Sequence, residues 1–189
     1  MTWAETMLAS LRESGVRLVT YVPDELLVPL IRGAEADSHF VTLIATREEE
    51  AIGIACGACL GGMPGIVMMQ SSGFGNSVNA LASLAVPHQL PLLLLISERG
   101  VLGEFNPVQV PLRRTLRPTL DALGIVHVTL ERADELDTQV RRTIAQALLT
   151  QAPAALILSP LLTGGKADLF AGRATPPRDR EQASPSARP

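Results

Sequence analysis

Aromatic side chains make up only 3% of this 189-residue chain, cysteine occurs only twice, and no apolar run approaches membrane length. Each scarcity excludes a class. The longest aliphatic stretch, Leu90 to Ile96, falls far short of the roughly 20 residues needed to cross a bilayer, so no membrane span is expected. With no second ligand pair the two cysteines do not make a zinc site. The opening residues, Met1-Thr2-Trp3-Ala4-Glu5, show no basic segment followed by an apolar one, and a cytoplasmic protein is expected. Charge is sparse and unevenly spread. From Gly164 onward Lys166, Arg173, Arg178, Arg180 and Arg188 outnumber Asp168, Asp179 and Glu181, so this end is net +2 and the body −5. An acidic body poor in aromatics argues against a nucleic-acid surface.

What is present is aliphatic. At 47% hydrophobic and 19% charged, the chain can build a sizeable core and is neither disordered nor fibrous as a whole. Residues 2–14 place Trp3, Met7, Leu8 and Leu11 on one helical stripe. Six short β-branched or aliphatic runs follow: 17–22, 40–45, 66–69, 91–97, 125–129 and 154–158. Between them lie helical patterns, one opening at Asp24 as an N-cap, one from Arg47 to Leu60, and one carrying Leu136, Val140, Ile144, Ala147 and Leu148. Strands alternating with helices predict an α/β fold of three layers, α/β/α, around a six-stranded, mostly parallel sheet. Continuous aliphatic strands agree with burial on both faces. The folded domain is expected to span 1–163, and the Pro/Ala/Arg-rich segment 164–189 is expected to be disordered.

In such sheets ligands gather at the carboxyl ends of the strands. Three polar segments fall there: Thr46–Glu50, the glycine-rich Gln70–Asn79, expected to begin as a loop, and Glu98–Gln109 within a long loop that reaches Pro111. In the first, Thr46 as N-cap and Glu49 three residues on predict a capping box. Glu48 instead shares a helical face with Ile52, Ala55 and Cys59, where partial desolvation suits a carboxyl group to proton transfer. In the second, Gly73-Phe74-Gly75 brings backbone close to a ligand or to a packed helix. It lacks the third glycine of a dinucleotide fingerprint and the Lys-Ser/Thr of a phosphate loop. Cys56 and Cys59, spaced as a redox pair, sit in the apolar run Ile54–Leu60 and read as small buried residues. His39, His88 and His127 are scattered, and no metal cluster or Ser-His-Asp arrangement is visible.

The two segments Arg47-Glu48-Glu49-Glu50-Ala51-Ile52-Gly53-Ile54-Ala55-Cys56-Gly57-Ala58 and Met69-Gln70-Ser71-Ser72-Gly73-Phe74-Gly75-Asn76-Ser77-Val78-Asn79 resemble the pyrimidine-binding domain of thiamine-diphosphate enzymes. The resemblance extends to about Leu162, and Ser97-Glu98-Arg99-Gly100 also fits it. It is nearest the sulfopyruvate and phosphonopyruvate decarboxylases. It implies that Glu48 hydrogen-bonds N1′ of the cofactor's aminopyrimidine and that Ser72, Gly73, Phe74, Gly75 and Asn76 bind the same cofactor. The thiazolium would then serve as electron sink when CO2 leaves a 2-oxo acid. Diphosphate and Mg2+ are held in such enzymes by a second domain with a Gly-Asp-Gly…Asn motif that this sequence lacks. The resemblance therefore implies a partner β subunit carrying that motif and an assembly of α2β2 or higher. Arg99 and Gln109 are the implied substrate residues, with Arg113 or Arg114 as further cations. The acidic-Pro-Gln-His run usual in this loop is replaced here by Gly103-Glu104-Phe105-Asn106-Pro107-Val108-Gln109. Other readings are a non-catalytic structural or regulatory subunit, a homo-oligomeric ligand-binding module, and, more weakly, a nucleotide-binding oxidoreductase.

Overall fold

The computed structural model describes residues 1–165, so most of the segment expected to be disordered lies outside the described residues. In chain order the elements are α1 (Trp3–Glu13), β1 (Leu18–Tyr21), α2 (Val28–Ala36), β2 (Val41–Ile44), α3 (Glu48–Leu60), β3 (Gly65–Gln70), α4 (Ser71–Ala80), β4 (Leu93–Ser97), α5 (Gln109–Ala122), β5 (Val126–Leu130), α6 (Leu136–Thr150), β6 (Ala154–Leu158) and the short α7 (Pro160–Thr163). A 3-10 turn, Glu25–Leu27, precedes α2, and a π-helical turn, Leu81–Ala85, extends α4.

All six strands run parallel, in the order β2-β1-β3-β4-β6-β5. Successive side chains of a strand point to opposite faces, and each face meets its own helices. Ile66 and Met68 of β3 join Met7 and Leu11 of α1, Leu30 of α2 and Val140 of α6 in one core. Val67 and Met69 join Ile52 and Ala55 of α3, Phe74 of α4 and Leu116 of α5 in the other. Strands β1, β4 and β6 are buried along their whole length, as their aliphatic runs predict. The edge strands depart from that expectation, because each lacks one neighbour. In β2, Val41, Leu43 and Ile44 are exposed, and β5 leaves Val126 exposed.

Two further expectations change. The glycine-rich segment is not a loop: α4 begins at Ser71, directly after β3, and contains both glycines. Glycine is a poor helix former, but packing of α4 between α3 and α5 overrides that local cost. The capping box at Thr46 does not form. Arg47 is the N-cap residue, and Glu50, not Glu49, turns back to accept the Thr46 backbone N–H at 2.7 Å. Glu49 instead pairs with Arg47 at 2.6 Å. The loop after β4 is also shorter than expected, since α5 starts at Gln109.

The strand order reverses direction between β1 and β3, and β6 returns between β4 and β5. Crevices open at such reversals, at the carboxyl ends of the strands. Asp24, Gln70, Ser97 and Ser159 stand at these ends.

Candidate active site

Glu48 is the first residue of α3 and lies against the first turn of α4. Its side chain runs across Gly73 so closely that a Cβ there would come within 2.6 Å of Glu48 Cγ, and the carboxylate itself would be closer still. Only glycine permits this approach. On the far side, Asn76 Nδ2 donates to Glu48 Oε2 at 3.2 Å. The carboxylate is therefore half-buried, held by one amide, with Oε1 over the bare Gly73 backbone. Two sequence segments 25 residues apart thus meet as one site. Phe74 is buried in the core beneath, Gly75 and Asn76 are exposed, and Ser72 is half-buried beside them.

Behind this pair lies a polar network with no counterpart in the sequence reading beyond the capping role of Asp24. Asp24, buried after β1, accepts from Gln70 Nε2 at 2.8 Å and from Ser97 Oγ at 3.0 Å. It also caps the 3-10 turn by accepting the Leu26 N–H at 3.2 Å. Gln70 Oε1 in turn accepts from Ser72 Oγ at 2.6 Å. Ser71 Oγ accepts the Arg99 N–H at 3.2 Å. The signal for these residues was positional: Gln70 and Ser97 are the polar residues closing otherwise aliphatic strands.

Arg99 is placed differently from its implied role. It is 7% exposed and forms a two-pronged pair with Glu104, Nε to Oε2 at 2.8 Å and Nη2 to Oε1 at 2.6 Å. Its guanidinium carbon also lies 5.4 Å from the centre of the Phe105 ring, a cation–π distance. Glu104 accepts the Gly100 and Asn106 N–H groups as well, each at 3.0 Å. The Arg99 hydrogen bonds, backed by the two amides, outweigh burial and hold the Glu104 carboxyl down at about 2. Glu104, followed by Asp24 and Glu25, raises the proton affinity of Arg99. Gly100 has φ of +78°, and its bare Cα lies against the Gln109 carbonyl. Gln109 Oε1 is buried without a hydrogen-bond partner.

A cleft of about 410 Å³ opens at the ends of β4 and β6, with Leu26, Glu98, Arg99, Phe105, Arg113 and Ser159 among its lining residues. Glu98, 3% exposed, accepts from Arg117 Nη1 at 2.6 Å, while Arg113 Nε stands 3.5 Å from the same oxygen. Arg117 also donates to Thr129 Oγ1 at 2.9 Å. Arg113 is half-exposed and so presents its guanidinium to the cleft. Arg114 is exposed. Among the described residues no group of three or more His, Cys, Asp or Glu could hold a metal ion. Nor is any helix there long and apolar enough to cross a membrane. The residues do fit a flat nitrogen heterocycle: one carboxyl oxygen over bare backbone and an amide securing the other.

Comparison with known proteins agrees with that chemistry. Residues 1–108 match the thiamine pyrophosphate enzyme family, N-terminal TPP binding domain. The sulfopyruvate decarboxylase subunit alpha of Methanocaldococcus jannaschii is 36% identical over 152 residues, covering 80% of this chain and 90% of that one. The phosphonopyruvate decarboxylase of Streptomyces hygroscopicus is 40% identical over 109 residues, 58% of this chain and 27% of that one. Among solved structures, benzoylformate decarboxylase from Polynucleobacter necessarius superimposes with a TM-score of 0.69 at 21% identity, over 84% of this chain and 30% of that one. That last likeness concerns the fold alone. With the matched segment holding both Glu48 and the turn it lies on, the chain belongs to the thiamine pyrophosphate enzymes, as their N-terminal TPP binding domain.

Proposed function

We propose that this chain is the pyrimidine-binding α subunit of a two-chain, cytoplasmic thiamine-diphosphate decarboxylase acting on sulfopyruvate or a similar 2-oxo acid with an anionic tail. The observation that carries the reading is the seating of Glu48 on Gly73 with Asn76 securing one carboxyl oxygen. Several features support the wider reading. The chain covers 90% of a relative named as an alpha subunit, which supports a separate β subunit. That partner would carry the diphosphate and Mg2+, in an α2β2 or larger assembly.

Glu48 would hold the ring nitrogen through Oε1, while Asn76, by donating to Oε2, keeps the other oxygen from competing. Phe74, Ala51 and Ile52, buried in one apolar cluster, exclude water from this side and would strengthen a hydrogen bond from the ring to the acid. The cofactor, when bound, would supply a nucleophilic carbon and an electron sink for loss of CO2. Ser72, Gly73, Gly75 and Asn76 would form the wall against which the ring rests, with Phe74 buried beneath it. On the substrate side Arg99 shapes the loop rather than reading the tail, since Glu104 already takes two of its donors. Arg113 is the cation left facing the cleft, whereas Gln109, whose Oε1 is buried, is not among the residues that line it. The test is decarboxylation of sulfopyruvate by the chain mixed with its partner subunit. Glu48→Gln should lower kcat at least about a hundredfold, and unchanged turnover would overturn the assignment.

A further inference from the structure

After α7 the chain turns at the rim of the cleft. Gly164 and Gly165 follow the helix at φ of +80° and +64°, left-handed values that glycine adopts without a side-chain clash. Gly164 donates its N–H to the Pro160 carbonyl at 2.9 Å, and Gly165 donates to Thr163 Oγ1 at 3.3 Å, so the turn is held against α7. Both glycines line the cleft, and whatever follows Gly165 starts at its wall. One side of that wall is apolar, built from Leu26, Leu102, Phe105, Pro160 and Leu161. Leu102 is fully exposed and Leu161 is 77% exposed, a clustering of apolar surface that soluble chains normally cover.

The chain beyond Gly165 carries a cover of matching chemistry. Leu169 and Phe170 are the only large aliphatic or aromatic residues of segment 166–189, and they come four and five residues after Gly165. Over that distance an extended chain reaches roughly 13 to 17 Å, enough to lie across a cleft of about 410 Å³. Charge favours the same return, since the end of the chain from Gly164 onward is net +2 and the body −5.

We propose that segment 166–170 folds back into the cleft of its own chain, with Leu169 and Phe170 covering Leu102 and Leu161, so that a ligand entering the cleft must first displace them. Tethering favours this occupant over a free one. A short linker holds its end at an effective concentration on the order of millimolar, at which a weak apolar contact is enough. The contact itself stands apart from the function proposed above, and only its effect on the substrate rests on that reading.

Three measurements test this. In the full-length chain with labelled methyl groups, nuclear Overhauser contacts should join the Phe170 ring to the methyls of Leu102 or Leu161, and Phe170→Ser should shift those resonances. Neither contacts nor shifts overturns the proposal. Contacts that appear only between differently labelled chains in a mixture give the groove to a second copy and overturn the fold-back. The double variant Leu169→Ser, Phe170→Ser opens the cleft, so the fluorescent apolar anion anilinonaphthalene sulfonate should bind the chain about threefold more tightly, as the open fraction rises. Equal binding overturns the displacement. In the complex with the partner subunit, the same double variant should lower KM for sulfopyruvate by about threefold with kcat little changed. An unchanged KM, with the contacts present, overturns the obstruction of substrate. A complex inactive with either chain refutes the decarboxylase reading, while the contacts and the dye, read in the chain alone, still decide the fold-back.

Discussion

Arg99 and Glu104 meet through two parallel hydrogen bonds, 2.8 and 2.6 Å long, inside a loop of their own making. Fork-to-fork pairs of this kind are among the stronger charge-assisted contacts, and here both side chains are nearly buried, at 7% and 5% exposure. Glu104 also receives the Gly100 and Asn106 amides, so one carboxylate ties together both ends of the turn.

That arrangement predicts acid lability of the loop. The Glu104 carboxyl is depressed from 4.5 to about 2, so its stabilising contribution is fully present above pH 4.5. It declines as pH falls toward 2, where the folded form also takes up the proton. The protection of the Gly100 and Asn106 amides, their exchange measured relative to the unstructured chain at the same pH, should be high above pH 4.5 and fall progressively below it. Glu104→Gln should show fast exchange at pH 7 already, with the rest of the sheet unaffected. Protection that is the same at pH 3 and pH 7 would contradict the picture.

Gly73 and Gly75 are two residues apart in α4 and should respond oppositely to alanine. A Cβ at 75 meets open space, so Gly75→Ala gains helix propensity and should stabilise the isolated chain by about 0.5–1 kcal/mol. A Cβ at 73 collides with the Glu48 carboxyl and its stem. Gly73→Ala should displace Glu48, lower the melting temperature and weaken thiamine-diphosphate binding in the complex. Thermal denaturation of both variants decides the matter, and equal shifts in the same direction would refute the close approach.

The strands β3, β4 and β6 were legible in the sequence because burial on both faces writes them as unbroken aliphatic runs. The place of Glu48 on α3 was legible because the helical period puts it above Ile52 and Ala55, both fully buried here, while its role came only with the resemblance. The start of α4 was not, since local glycine preference opposes a helix that tertiary packing imposes. The Asp24 network was hidden for a different reason. Its partners lie 46 and 73 residues away, and only the parallel order β1-β3-β4 brings them together. Arg99 was read as an available cation because nothing local announces that Gly100, at positive φ, folds Glu104 back onto it.

The two cysteines carry a prediction about reactivity. Burial, with a smaller contribution from Cys59, pushes the Cys56 thiol up to about 11, and burial also raises Cys59. The thiolate is the reactive form, so both should be sluggish. At pH 8 iodoacetamide should leave Cys56 unmodified in the folded chain and label Cys59 slowly, with both reacting readily in denaturant. Rapid labelling of Cys56 under native conditions would show that α3 does not pack as described.

Arg113 gives the sharpest test of substrate selection. It lies 3.5 Å from Glu98, but Glu98 is already committed at 2.6 Å to Arg117, and Arg113 is half-exposed at the cleft. Its charge is therefore incompletely matched within the chain, whereas that of Arg99 is matched by Glu104. An anionic substrate tail would complete Arg113. Arg113→Gln in the two-chain enzyme should raise KM for sulfopyruvate by about tenfold or more, the scale of one charge-assisted hydrogen bond, with kcat little changed. Pyruvate, which has no charged tail, should be handled the same by variant and wild type. Arg117→Gln should behave differently: it strips the buried Glu98 of its short partner, so stability falls and every substrate suffers alike. A uniform loss in Arg113→Gln would place that residue with Arg117 as a support of the fold, and a selective loss in Arg99→Gln would return the reading of the tail to Arg99.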